Sequence, residues 1–241
     1  MPRIVPEARL HIESHGHPAR VRTVAVVLHG DGAPDDGETL AQTLAARLPD
    51  AIGVAVLRPG YVDADGHRSP GERGLDTGDN FTPEAIGAVA ATVERLRQRH
   101  PHANIVLIGH SGGAALAANL AGSRPALVDG LVLAACPCSL PEWRRFRQAQ
   151  QPKAGFDQPV RSLDPLQTVG GATLGLRVAL LVGTDDKLMP PRFSRPYAEA
   201  LALRGIATDF RILPGKGNAI LNDPELISAV ERLAAALPRK G

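Results

Sequence analysis

The strongest chemical signal in the chain is a run of five residues, Gly109, His110, Ser111, Gly112 and Gly113. They follow the apolar run Ile105–Ile108 and precede a stretch of small residues, Ala114 to Leu120. A serine in the middle of G-x-S-x-G, between a buried strand and a helix, occupies a turn too tight for side chains at the flanking positions. Its hydroxyl is left exposed at the apex as a nucleophile. The first N–H groups of the following helix then point toward the reacting oxygen. A glycine-rich turn with an exposed but inert serine is the plainer reading of the same letters. Upstream, His29, Gly30, Asp31 and Gly32 close the apolar run Val24–Leu28. Glycines there let the backbone swing an N–H toward the serine, so that Asp31 and Gly112 could hold an oxyanion between them.

These two segments resemble the α/β-hydrolase fold family of serine esterase and lipase type, and the likeness spans nearly the whole chain. The resemblance implies an acid after a later strand and a histidine last of all. The acid falls in Gly183, Thr184, Asp185, Asp186 and the residues up to Pro190. Asp186 fits the family spacing, and Asp185 stands one position early. A solvated turn is the ordinary explanation of such aspartates.

The histidine is missing. The eight histidines are at 11, 15, 17, 29, 67, 100, 102 and 110, and none follows Ser111. The family pattern places the histidine at Asn218, in the turn Pro214 to Leu221. Asparagine can hydrogen-bond to both Ser111 and Asp186, but it takes up no proton near neutral pH and cannot act as general base. Losing one triad member leaves roughly 10³–10⁴-fold catalysis over water. Two explanations stand side by side: a deliberate replacement that slows turnover or holds an acyl-enzyme, and a natural relative with impaired catalysis. His29 and His110 are expected to turn away from the nucleophile. His67, in a long loop, is a remote substitute base, and His11, His15 and His17 are expected to face solvent beside an edge strand.

The elements that must position these residues are legible as alternating runs. Val24–Leu28, Ile52–Leu57, Ile105–Ile108, Leu131–Leu133, Val178–Val182 and Asp209–Leu213 are short strand candidates. Most are apolar throughout, as strands buried on both faces are. Ala8–Ser14 is expected to add an antiparallel edge. Thr82-Pro-Glu opens a helix with Ile86, Val89, Val93 and Leu96 on one face. Asp223-Pro-Glu opens another, with Leu226, Ile227, Val230, Leu233 and Leu237 on one side, and Leu40, Leu44 and Leu48 mark a third. Strand–helix alternation predicts an α/β fold with a mostly parallel central sheet. Two stretches break the rhythm. Residues 59–81 form a loop long enough to suggest function, and residues 137–175 look like a small lid inserted in a single 1–241 domain.

Composition narrows the function classes. The 241 residues are 44% hydrophobic and 22% charged, which suits a soluble globular chain rather than a disordered one. A net charge of +2 is too balanced for an electrostatic nucleic-acid surface. No apolar run reaches signal-peptide or membrane-span length, so a cytoplasmic location is expected. Two cysteines exclude a disulfide scaffold. Cys136 and Cys138 are expected to be small packed residues or free thiols, since cysteines two apart rarely bridge well. Their turn carries no acid, which removes the family's other acid position and favours Asp186. Asp63, Asp65 and Gly66 match only the opening of a calcium loop and read as a turn. Glu142 to Arg147 reads as a lid helix with Trp143 and Phe146 turned inward, and Gly170 to Gly175 carries no phosphate-loop lysine. No metal or cofactor is expected. The reading is a serine hydrolase acting on small or medium carboxylic esters through an acyl-enzyme on Ser111, slowed by Asn218. A non-catalytic small-ligand binder and an acyltransferase are the alternatives, and self-association is left open.

Overall fold

The computed structural model describes residues 9–32 and 34–240. Seven strands form one sheet in the order β1-β3-β2-β4-β5-β6-β7. They are β1 (Ile12–His15), β2 (Thr23–Leu28), β3 (Ala51–Val56), β4 (Asn104–His110), β5 (Gly130–Ala134), β6 (Arg177–Gly183) and β7 (Ala207–Leu213). Only β1 runs antiparallel, pairing Ile12 with Val56 and His15 with Gly53. This edge strand begins and ends later than the Ala8–Ser14 expected from sequence, and Ala8 lies outside the described residues.

The central strands are apolar through their middles because both faces are covered. On one face Val24, Val26, Leu28, Ile105, Leu107, Leu131 and Leu133 pack under α2 (Pro83–Arg99) and α3 (Gly112–Ser123). On the other, Ala25, Val27, Val106, Ile108 and Val132 meet α1 (Asp35–Arg47) and α7 (Pro224–Ala236). Each fully buried Leu, Ile or Val contributes about 1.5–3 kcal/mol. Both predicted helix starts carry their caps. The Thr82 side chain accepts from Ala85 N–H and that of Asp223 from Glu225 N–H, each followed by proline at the first helical position. The stripe Ile86, Val89, Val93 and Leu96 is buried.

Residues between β5 and β6 contain α4 (Leu140–Gln150) and the short α5 (Pro165–Thr168), with no strand. The α4 helix buries Trp143, whose Nε1 donates to the Leu188 carbonyl, while Phe146 is half-buried against Phe193. The sequence reading does not single out α6 (Arg195–Leu203), which packs near β7.

One expectation is overturned. Cys136 and Cys138 are joined in a disulfide, their Cα atoms 5.1 Å apart. Two residues of extended chain would span about 7 Å, beyond the usual bridging range. That distance is set by the backbone of the intervening Pro137, which folds the chain well short of its extended span.

Candidate functional site

Parallel register brings several loops to the C-terminal edge of the sheet. Leu28 at the end of β2 pairs with Gly109 in β4, and Gly109 pairs with Leu133 in β5. The loops after β2, β4, β6 and β7 therefore meet at one end, where sites gather in α/β sheets.

Ser111 is at the centre. It is 7% exposed and has φ 51° and ψ −120°, a conformation that costs a non-glycine residue about 1–3 kcal/mol. The turn survives because its neighbours have no side chains. A Cβ on Gly113 would strike the Leu28 and His29 carbonyls, and one on Gly109 would strike the backbone of Gly113. Gly112 then opens α3, whose first N–H groups have no partner within the helix. The His29–Gly32 turn lies alongside. A Cβ placed on Gly30 would stand 3.5 Å from Ser111 Cβ, and the Asp31 carboxylate comes against Gly112.

That carboxylate is partly buried beside the serine turn, and its charge is answered locally. Arg58 Nη1 donates to Asp31 Oδ1 at 2.8 Å and to the His29 carbonyl at 3.2 Å. The single hydroxyl proton of Tyr61 faces both the same Asp31 oxygen at 3.1 Å and the nearer Asp76 Oδ1 at 2.7 Å. Arg58 is only 1% exposed, and its Nε and Nη2 have no hydrogen-bond partner among the described residues. Burial raises the Tyr61 hydroxyl far above its ordinary range, with Asp31 and Asp76 adding to the shift against Arg58, so it remains a neutral donor. Sequence reasoning missed Arg58, Tyr61 and Asp76. The available signal was the position of Arg58-Pro-Gly-Tyr61 at the C-terminal end of β3.

Asp186 is 2% exposed, and its Oδ1 accepts from the N–H groups of Leu188 and Met189 at 2.9 and 2.8 Å. Its Oδ2 accepts from Asn218 Nδ2 at 2.9 Å. Asp185, by contrast, is exposed. Asn218 is also held through its backbone carbonyl, 2.8 Å from His110 Nε2. The structure thus brings Asp186, Asn218 and the residue before Ser111 together. Among the described residues Ser111 Oγ has no hydrogen-bond partner, so Asn218 is not bonded to it.

The other histidines are engaged elsewhere. His29 is buried, with Nδ1 bonded to the Gly30 carbonyl and Nε2 accepting from Arg58 N–H. Burial, and then the Arg58 charge, lower its pKa to about 3. Burial lowers His110 as well, against its bond to Asn218. Both rings are therefore neutral near pH 7. His67 pairs with Asp63 and stacks on His11 at the β1 edge. His11 and His15 are half-buried rather than facing solvent, because the 59–81 loop and Glu38 close over them. A cleft of about 850 Å³ opens at the opposite end of the strands, bordered by Arg20, Arg47 and Asn104. None of the Ser111 group lines it.

A strained serine between a parallel strand and a helix, on a sheet of this order, defines an α/β hydrolase. The family model described as serine aminopeptidase, S33, matches residues 20–159. The chain belongs to that family, and at the family level it is a serine hydrolase. The matched stretch includes Asp31, Ser111 and Gly112 and stops before Asp186 and Asn218. None of the curated proteins compared matches the chain. Among solved structures, the monoacylglycerol lipase of Paleococcus ferrophilus is 20% identical, with a TM-score of 0.65 over 94% of this chain and 99% of that one. Est1E from Butyrivibrio proteoclasticus, solved with ferulic acid bound, is 15% identical with a TM-score of 0.69, covering 92% and 93%. Esterase PE8 is 17% identical, TM-score 0.65, covering 95% and 100%. At these identities the likeness is one of fold. No helix among the described residues is long and apolar enough to cross a membrane.

Proposed function

We propose that this chain acts on small or medium carboxylic esters through an acyl-enzyme on Ser111, with deacylation slowed because Asn218 stands where a base would work. The observation that carries the reading is the 2.9 Å bond from Asn218 Nδ2 to Asp186 Oδ2. An amide there fills the acid's hydrogen bond and holds the turn, yet it offers no basic nitrogen. Ser111 Oγ attacks the acyl carbon, its proton passes to solvent, and the C–O bond to the alcohol breaks. Gly112 and Asp31 N–H groups hold the negative oxygen in the addition step. Water must then attack the serine ester without a base to activate it. Residues 137–175 serve as the lid in this reading. In support, Leu140 and Trp143 of α4 sit against Gly78 of the long loop, and Trp143 reaches the acid loop at Leu188.

The test is hydrolysis of p-nitrophenyl acetate and butyrate by the parent and by Asn218→His, with intact-protein mass recorded in parallel. An aminoacyl anilide run beside them separates ester from peptidase preference. A rise of about 10²-fold or more in the variant, with an acyl adduct on the parent that Ser111→Ala abolishes, supports the reading. No rise and no adduct gives the site to a non-catalytic ligand binder. Product carrying an added alcohol or amine makes the chain an acyltransferase.

A further inference from the structure

One group of side chains takes no part in the chemistry above. His11, just before β1, and Glu13, on β1, meet Asp63 and His67 from the 59–81 loop. One ring nitrogen of each histidine and a carboxylate oxygen of Glu13 all lie within 4.8 Å of one another. His11 Nε2 is 2.9 Å from Glu13 Oε1 and 3.8 Å from Asp63 Oδ2. Asp63 Oδ2 is 3.0 Å from His67 Nδ1. Two imidazoles and the Glu13 carboxylate gather at the protein's edge, with Asp63 beside both histidines.

Although Glu13 is close, His11 Nε2 makes no hydrogen bond: it is buried, and the carboxylate lies off the direction such a bond requires. Main-chain hydrogen bonds, with one to the Asp63 side chain, hold these residues in place. His11 N–H donates to Ser69 Oγ, which donates to the Leu57 carbonyl, and Leu57 N–H returns to the His11 carbonyl. Within the loop, Asp63 N–H donates to the His67 carbonyl, and His67 N–H donates to Asp63 Oδ1. Donors carried on a scaffold fixed in this way are preorganised for a shared ligand.

We propose that His11, Glu13, Asp63 and His67 bind one divalent ion of the zinc class. Imidazole nitrogens together with carboxylates suit zinc and its neighbours, whereas calcium and magnesium prefer oxygen alone. With metal–ligand bonds of about 2.0–2.2 Å, tetrahedral donors stand roughly 3.3–3.5 Å apart. The three separations above bracket that spacing. The His11 and His67 rings are stacked, with centroids 4.2 Å apart and planes 12° from parallel. They must splay for both lone pairs to reach one ion, which asks the half-exposed His67 ring to turn from its stack on His11. The ligands come from two distant segments, so the sequence presents no metal motif and none was expected there. A bound ion would tie the edge strand to the loop that supplies Tyr61 and Asp76 beside Asp31.

The test uses the whole chain, stripped by a chelator and titrated with Zn²⁺ against a chromophoric indicator, and with Co²⁺ followed by its visible absorption. One ion per chain is expected, with a Co²⁺ band typical of low coordination number. Glu13→Gln, Asp63→Asn and His67→Ala should each weaken binding by about 10-fold or more. His17→Ala, which alters an exposed histidine outside the group, should not. Metal-free melting curves matching the parent's show that the variants are folded, so lost affinity reports lost ligands. Zn²⁺ should also slow proteolysis within 59–81. Absence of binding at about 100 μM Zn²⁺, an affinity of only about 5 kcal/mol, overturns the site. Equal losses in His17→Ala, or none in the folded Glu13, Asp63 and His67 variants, would identify adventitious surface binding and overturn it equally.

Discussion

His110 Nε2 donates to the Asn218 backbone carbonyl at 2.8 Å, so the residue before the nucleophile fixes the turn that carries the asparagine. The anchor acts on the main chain and is indifferent to the side chain at 218. Asn218→His should therefore be accommodated with the turn in place and Asp186 waiting at the same oxygen. Ester hydrolysis should rise by about 10²-fold or more, and Asp186→Asn in that background should remove most of the gain. Steady-state rates for the single and double variants check this.

Arg58→Met should be costly, because it leaves the Asp31 carboxylate and the His29 carbonyl without their buried donor. Breaking one side of a largely buried pair costs about 3 kcal/mol, here reduced because Asp31 is 20% exposed. Adding Asp31→Asn should recover part of the loss by removing the stranded charge. Urea unfolding of the single and double variants reads both numbers.

Tyr61→Phe should leave the fold nearly intact and remove the hydroxyl shared between Asp76 and Asp31, leaving Arg58 as the side-chain donor to Asp31 Oδ1. Acylation of Ser111 should slow by a few-fold while ester binding is little changed, since the lost group acts through the oxyanion turn. Single-turnover acylation followed by mass separates the two terms.

Stability should fall as the solution is acidified below about pH 6.5. The folded-state pKa of His29 is lowered from 6.5 to about 3, so between those values the unfolded chain binds a proton that the folded chain refuses. Stability then rises with pH, and the loss on acidification approaches about 1.4 kcal/mol per pH unit toward the middle of that window. His110, also lowered by burial, adds in the same direction. Denaturant titrations from pH 7 to pH 4 should show the slope, and His29→Gln should flatten it.

Much of the fold was legible because the decisive residues are local. Runs such as Ile105–Ile108 are apolar at every position, and caps such as Thr82 and Asp223 act within three residues. The strand–turn–helix around Ser111, the glycine turn of residues 29–32 and the spacing of Asp186 from Gly183 and Pro190 are local in the same way. What escaped depends on contacts between distant segments. Arg58 gains meaning only when β3 brings it under Asp31, and His11 meets His67 only across the sheet edge. The cysteine pair failed for a local reason: the bend at the intervening Pro137, which brings the two Cα atoms to 5.1 Å, leaves no trace in the letters.

The backbone of Ser111 has a further consequence. Glycine would adopt φ 51° and ψ −120° with little penalty, so the chain would be more stable, and chemically silent, with Gly at 111. Serine there opposes the fold's own preference, so the proposed nucleophile is held at a cost in stability.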